Sequence, residues 1–149
     1  MKIDLHWNGA MKFTSVCDGH EVQMDTKTPI GQNTAMTPKE LVAAGLGGCT
    51  AMDVVALFKK NKQTVDSFDV SVDVEKSSSG YPQVFTHALI TYVATGNIDK
   101  DVFIKAATDS QTKYCGVSAM LSKAFPIHYK LILNGETIHE AQSHFGETK

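Results

Sequence analysis

One stretch constrains this chain more than any other: Thr37 to Lys62, TPKELVAAGLGGCTAMDVVALFKKNK. It opens on a helix-start signature. Thr37 suits the N-cap, Pro38 the first helical position, and Glu40 sits where the acid of a capping box belongs. Lys59, Lys60 and Lys62 crowd the far end, where cations complement the helix dipole. From Leu41 to Phe58 only Thr50 and Asp53 are strongly polar, so the helix has no wide solvent face. A helix of this kind, about 35 Å long, is expected to be a central, buried element. Its middle runs against helix propensity. Gly45, Gly47 and Gly48 lead straight into Cys49, and each interior glycine costs roughly 0.8–1 kcal/mol against alanine. Either close packing against the rest of the fold accounts for them, or a backbone, a partner helix or a ligand comes near beside Cys49.

A chain of 149 residues fits one domain with a real core, expected over 1–149. A formal charge of −2 gives no electrostatic reason to expect nucleic acid. All 14 basic residues are lysine, which removes the bidentate clamp that arginine offers phosphates and carboxylates. No apolar run approaches membrane-spanning length, and Met1 to His6 lacks the apolar core of a signal peptide. No membrane partner is expected, and the cytoplasm is the expected location. Three cysteines, an odd number in a reducing compartment, point to free or catalytic thiols rather than a disulfide framework.

The chain before the long helix reads as a three-strand antiparallel meander. Ile3, Leu5 and Trp7 alternate with polar residues, Asn8-Gly9 marks a turn, and Asp18-Gly19 marks a two-residue hairpin between Lys12–Cys17 and His20–Asp25. Residues 26–36 read as a loop. After the helix, Phe68, Val70, Val72 and Val74 alternate as a half-buried strand, and Val84 to Ala94 form another. Asp99 to Lys113 fits a helix, Val117 to Ala124 a short helix stopped by Pro126, and Ile127 to Leu133 a last strand ending at Asn134-Gly135. Residues 136–149 read as a polar tail, in part disordered. Strands and helices segregate, which predicts an α+β fold with antiparallel sheet.

Chemistry has few places to sit. Cys49 lies among glycines on the central helix, and Cys115 stands at the start of the short helix in Cys115-Gly116-Val117-Ser118. There, backbone N–H groups and the positive helix end are expected to lower its thiol pKa. Each of these cysteines is read either as a reactive group or as an inert buried thiol. Cys17 reads as packing. Asp53, one turn past Cys49 on the same face, is either a hydrogen-bonded core aspartate or an anchor for a lysine or histidine. The six histidines show no metal-ligand spacing. His6, Cys17 and His20 could meet on the meander but make a poor ligand set, and no metal is expected.

Two motifs, Pro38 to Val55 (PKELVAAGLGGCTAMDVV) and Lys113 to Leu121 (KYCGVSAML), resemble those of the OsmC/Ohr family, the osmotically inducible and organic-hydroperoxide-resistance proteins. The Gly-Gly-Cys-Thr-Ala run is most like the YhfA-like branch of that family. The resemblance implies an OsmC-like fold with antiparallel sheets around a long central helix, in an intertwined homodimer with active sites at the subunit interface. It implies that Cys49 is the peroxidatic cysteine and Cys115 the resolving one, acting as a thiol-dependent peroxidase on small organic hydroperoxides. Reduction by a lipoyl-type dithiol follows, with no cofactor. Well-studied family members hold the thiolate with an arginine, oriented by a glutamate ten residues before the cysteine. Here Lys39 occupies that position, Glu40 lies nine before, and no arginine exists. Lys39, Glu40 and Asp53 are therefore candidate supporting residues. The alternative is a redox-sensing or small-molecule-binding member of the fold with little turnover.

Overall fold

A computed structural model of the chain describes residues 1–146. They separate into two compact units whose boundary falls at Val42, inside the long helix.

The first unit is a three-stranded antiparallel sheet, β1 (Asp4–Trp7), β2 (Phe13–Cys17) and β3 (His20–Met24), in the order β1-β2-β3. Cys17 pairs with His20 across a two-residue turn in which Asp18 and Gly19 take φ of +50° and +81°. Both central residues in the left-handed region is what a tight hairpin needs, and Asp-Gly supplies it. The β1–β2 connection is wider: Trp7 pairs with Phe13, leaving residues 8–12 as the loop. The pairing Trp7–Phe13–Met24 and Leu5–Ser15–Val22 gathers the apolar side chains on one face of the sheet. Cys17 falls on that same face. The loop after β3 is organised by Asp25, which is buried and accepts four hydrogen bonds: from Thr26 N, Gln32 N, Thr34 N and Thr34 Oγ1, at 2.8–3.2 Å.

The second unit carries a four-stranded sheet in the order β4-β5-β6-β7: β4 (Thr64–Lys76), β5 (Phe85–Asn97), β6 (Ile127–Leu133) and β7 (Glu136–Gln142). Two features correct the sequence expectation. First, β5 and β6 run parallel. Parallel neighbours need a long crossover, and the segment from 98 to 126, with its two helices, is that crossover. Second, residues 136–142 of the expected polar tail are an edge strand. Leu133 pairs with Glu136, and Asn134-Gly135 takes φ of +51° and +86°. This is the same turn chemistry as Asp18-Gly19. Ile138 and Ala141 then pack against the core. The tail's last three residues, 147–149, lie outside the described residues.

The long helix, α1 (Pro38–Lys60), spans 23 residues. It is buried along one face only, at Leu46, Gly47, Thr50, Val54 and Phe58. The opposite face leaves Gly45, Met52 and Ala56 exposed, so in a single chain the helix is half covered rather than enclosed. By length and composition α1 is also apolar enough to cross a bilayer, contrary to the sequence expectation. Core helices share that property, and the buried face of α1 packs into the same core as β5, β6 and the crossover. Of its three glycines, only Gly47 is explained by packing. A Cβ there would stand 2.9 Å from Val72 Cγ2 on β4, whereas at Gly45 and Gly48 it would meet nothing within 4 Å.

The core lies between the sheet and these helices. Ala88, Ile90, Tyr92 and Ala94 of β5, with Ile127, Tyr129 and Leu131 of β6, face Leu46, Val54 and Phe58 of α1 and Phe103, Ala106 and Ala107 of α2 (Lys100–Asp109). Asp99 caps α2, its Oδ1 accepting from Asp101 N and Val102 N. The expected helix from 99 to 113 is therefore real, but its last turn changes pitch. Ser110–Tyr114 is π-helical, and it delivers Cys115 to the start of α3 (Gly116–Leu121).

Candidate active site

The second unit brings Cys49 and Cys115 together from positions 66 residues apart in the sequence. α1 presents Cys49 half-buried, beside the open position at Gly48. Cys115 is fully buried, in extended conformation as the N-cap of α3, and its Sγ accepts from Ser118 N at 3.3 Å and Ser118 Oγ at 3.2 Å. The sequence predicts a lowered pKa for this thiol; the structure corrects it to a raised one. Burial is the largest cause, the two Ser118 bonds offset part of it, and the neighbouring Cys49 pushes it further up. Desolvation of the thiolate outweighs the favourable end of a six-residue helix. Cys49 is thus a near neighbour of the Cys115 thiol, and of the two sulfurs Cys49 is half-buried and Cys115 buried.

Around them lies a set of polar side chains of which the sequence flags only Thr50 and Asp53. Ser110 Oγ donates to Asp53 Oδ2 at 2.8 Å. A hydroxyl has one proton, so the 2.7 Å contact between Ser110 and Thr50 Oγ1 has Thr50 donating. By the same count Tyr92 OH donates to Thr50 Oγ1 at 2.5 Å. Gln111 Nε2 donates to both Thr50 Oγ1 and Tyr92 OH, at 2.8 and 2.9 Å, and Ser143 Oγ donates to Gln111 Oε1 at 2.6 Å. The chain runs in one direction, from Tyr92 through Thr50 and Ser110 to Asp53. Thr50, Tyr92, Ser110, Gln111 and Ser143 are buried and Asp53 is half-buried, and no buried side-chain polar atom among the described residues lacks a partner. Burial holds the Tyr92 phenol neutral by raising its pKa well above the usual range. Asp53 is thus a hydrogen-bonded aspartate, its Oδ2 accepting from Ser110.

Glu40 is engaged elsewhere. Its Oε2 accepts from Thr37 N at 2.8 Å, Thr37 Oγ1 accepts from Glu40 N at 3.3 Å, and its Oε1 pairs with Lys27 at 3.0 Å. This is a complete capping box. The Thr37 N–H first and Lys27 next bring the Glu40 carboxyl down to about 2. Lys39 is exposed on the first turn of α1. Cys17 is half-buried, with Sγ 3.9 Å from Asp18 Oδ2. Among the described residues no group of three His, Cys, Asp or Glu could hold a metal ion. His87 Nε2 and His128 Nδ1 share a hydrogen bond at 2.8 Å between β5 and β6.

The match that decides the family runs through both cysteine motifs: the family model for OsmC-like protein aligns with residues 31–130. The chain belongs to the OsmC family. It is 33% identical over 129 residues to Protein YhfA of Escherichia coli K12, covering 85% of this chain and 93% of that protein. Its fold is shared with an OsmC-like protein from Mycoplasma pneumoniae, with a TM-score of 0.76, 12% identity, and coverage of 89% and 95% of the two chains. It is also shared with an organic hydroperoxide resistance protein OsmC from Legionella pneumophila, with a TM-score of 0.63, 15% identity, and coverage of 89% and 94%. The two α+β sheets and the long helix of this OsmC chain are those of the family, as its sequence predicts.

Proposed function

We propose that this OsmC-family protein is a cytoplasmic thiol peroxidase that reduces small organic hydroperoxides, with Cys49 as the attacking sulfur and Cys115 as the resolving one. The observation that carries the reading is the asymmetry of the pair. A half-exposed sulfur can be reached by a peroxide. A buried neighbour that already senses it can be reached only by what the first sulfur becomes. In the first step the Cys49 thiolate attacks the terminal peroxide oxygen. The O–O bond breaks, an S–O bond forms, and the alkoxide leaves with a proton as the alcohol. In the second, Cys115 sulfur displaces that oxygen. The S–O bond breaks, the S–S bond forms, and the hydroxyl departs with the Cys115 proton as water. A dithiol of the lipoyl type then returns two electrons by exchange at the more accessible sulfur, Cys49. Cys115 leaves as a thiolate stabilised by the two Ser118 donors.

The reading includes a homodimer with its active sites at the subunit interface. Two apolar surfaces support it: the Leu5, Trp7, Val22 face of the first unit, with Trp7 68% exposed, and the outer face of α1, with Met52 75% exposed. A three-stranded sheet with an uncovered apolar face gains stability from a cover.

Intact-mass measurement after one equivalent of cumene hydroperoxide tests the chemistry. The reading expects loss of two mass units in the wild type and a trapped sulfenate in Cys115→Ser; an unchanged mass in the wild type overturns it. A second reading, a redox sensor or binding module with little turnover, is favoured by the engagement of Glu40 in its capping box and by the absence of arginine. Negligible consumption of cumene hydroperoxide with dihydrolipoamide, despite a normal first oxidation, selects it.

A further inference from the structure

The site contains one residue that touches the supports of both sulfurs. Ser110 begins the π-helical turn, and its carbonyl oxygen accepts the Cys115 N–H at 3.0 Å. Its hydroxyl is held from the other side by α1: it accepts from Thr50, the residue after Cys49, and donates to Asp53, one turn beyond. Ordinary α-helical pitch would give the Cys115 N–H to residue 111; the π turn gives it to Ser110 instead. Single π turns inside helices are costly and concentrate at functional sites. A buried serine hydroxyl saturated by two partners on a different helix is a fixed strut rather than a rotor.

We infer that Ser110 is the positioning residue that sets the distance and orientation between Cys49 and Cys115. Thr50 and Asp53 are the two jaws that hold its hydroxyl. The inference deepens the peroxidase reading by naming what controls its second step, but it concerns the geometry of two thiols and holds for any oxidant. Asp53 acts here through Ser110 and not on the sulfur. The α-helix fixes where Cys49 points, the π turn fixes where Cys115 begins, and the Ser110 hydroxyl joins the two. Closure itself needs nothing beyond the groups present: the sulfenic S–O bond and the thiol S–H bond break, the S–S bond and a water O–H bond form, and the electrons come from Cys115.

The effective concentration of the two thiols is the direct measure of this geometry. It is read by equilibrating the full-length protein with glutathione redox buffers and quantifying the Cys49–Cys115 disulfide by mass spectrometry. Cys17→Ser is the common background, to keep the third thiol out of exchange. Ser110→Ala and Asp53→Ala are expected to lower the effective concentration at least tenfold, a shift of about 30 mV in reduction potential. Asp53→Asn, which keeps an oxygen to accept the Ser110 proton, is expected to stay within threefold of the parent. The double variant Ser110→Ala/Asp53→Ala is expected to be no worse than either single one, because both break the same strut. Urea unfolding of each variant separates a stability loss, which does not by itself move the thiol equilibrium. An effective concentration in Ser110→Ala within twofold of the parent overturns the inference, as does Asp53→Asn behaving like Asp53→Ala. Failure of the wild type to react with hydroperoxide would sink the peroxidase reading and leave this measurement standing.

Discussion

Replacing Thr50 by valine tests the buried polar chain most cleanly, because valine keeps the volume and removes only the hydroxyl. Three partners lose contact: Tyr92 OH, Ser110 Oγ and Gln111 Nε2. They do not suffer equally. Ser110 still gives its proton to Asp53, and Gln111 Nε2 still reaches the Tyr92 oxygen. The Tyr92 proton is left with no acceptor, since its other neighbour is a donor. An orphaned buried donor costs about 1–3 kcal/mol, and each of the other lost bonds about 0.5–1.5 kcal/mol net. Thr50→Val is therefore expected to destabilise the protein by about 2–6 kcal/mol. The assay is equilibrium urea unfolding at one fixed protein concentration, with the change read from the midpoint at unchanged slope. Tyr92→Phe removes the orphan, so the double variant Thr50→Val/Tyr92→Phe is expected to lose about 1–2 kcal/mol less than the sum of the two singles. A Thr50→Val loss below about 0.5 kcal/mol, or strict additivity in the pair, would refute the bond directions assigned along this chain.

Ser118→Ala removes one of two donors to Cys115 Sγ and is expected to slow reduction of the Cys49–Cys115 disulfide by dihydrolipoamide about tenfold, the scale of one hydrogen bond to a charged leaving group; stopped-flow thiol exchange reads it, and an unchanged rate rejects the leaving-group role. Asp25 and Glu40 both have folded pKa values lowered to about 2, by backbone N–H groups first and, for Glu40, by Lys27 next. A lowered carboxyl pKa stabilises the fold above the unfolded value near 4 and loses that contribution as pH falls through the folded value. Wild-type melting temperature is accordingly expected to drop between about pH 4 and pH 2, with Asp25→Asn and Glu40→Gln each starting lower and falling less over that window. Gly47→Ala gains about 1 kcal/mol of helix propensity but drives a Cβ to 2.9 Å from Val72 Cγ2, and overpacking costs about 1–3 kcal/mol. A net loss rescued by Val72→Ala is expected in urea unfolding, and a stabilised Gly47→Ala single variant contradicts the close approach.

Much of the fold is legible in the residues because local signals there agree with tertiary ones. The capping box of α1, the alternation in β4 to β6 and the Asp18-Gly19 turn each state their structure within a few positions. The failures have the same physical root. The parallel β5–β6 pair and the edge strand β7 depend on what the crossover and the core do with them, although Asn134-Gly135 carries the turn signal that announces a return strand. At the site, the sulfur pair is readable from its two motifs. The thiol pKa of Cys115 is not, because burial outweighs a local helix effect that the sequence does display. Ser110, Gln111 and Ser143 look like ordinary surface residues in a linear reading. Only the π turn and the approach of β7 turn them inward, and neither leaves a mark in residue order beyond the polar Thr50 and Asp53 on an otherwise greasy helix.

That greasiness has a consequence during synthesis. α1 is complete at Lys60, and the hairpin of β4 and β5 that covers its inner face ends at Asn97, so 37 further residues must be added first. At about 5–20 residues per second the ribosome exposes a segment that composition alone cannot tell from a bilayer span for about 2–7 s. Asp53, near its middle, would cost about 2.5–3.5 kcal/mol at the centre of a lipid bilayer. The carboxylate that anchors Ser110 in the finished protein thus also makes a bilayer a poorer solvent for the nascent helix.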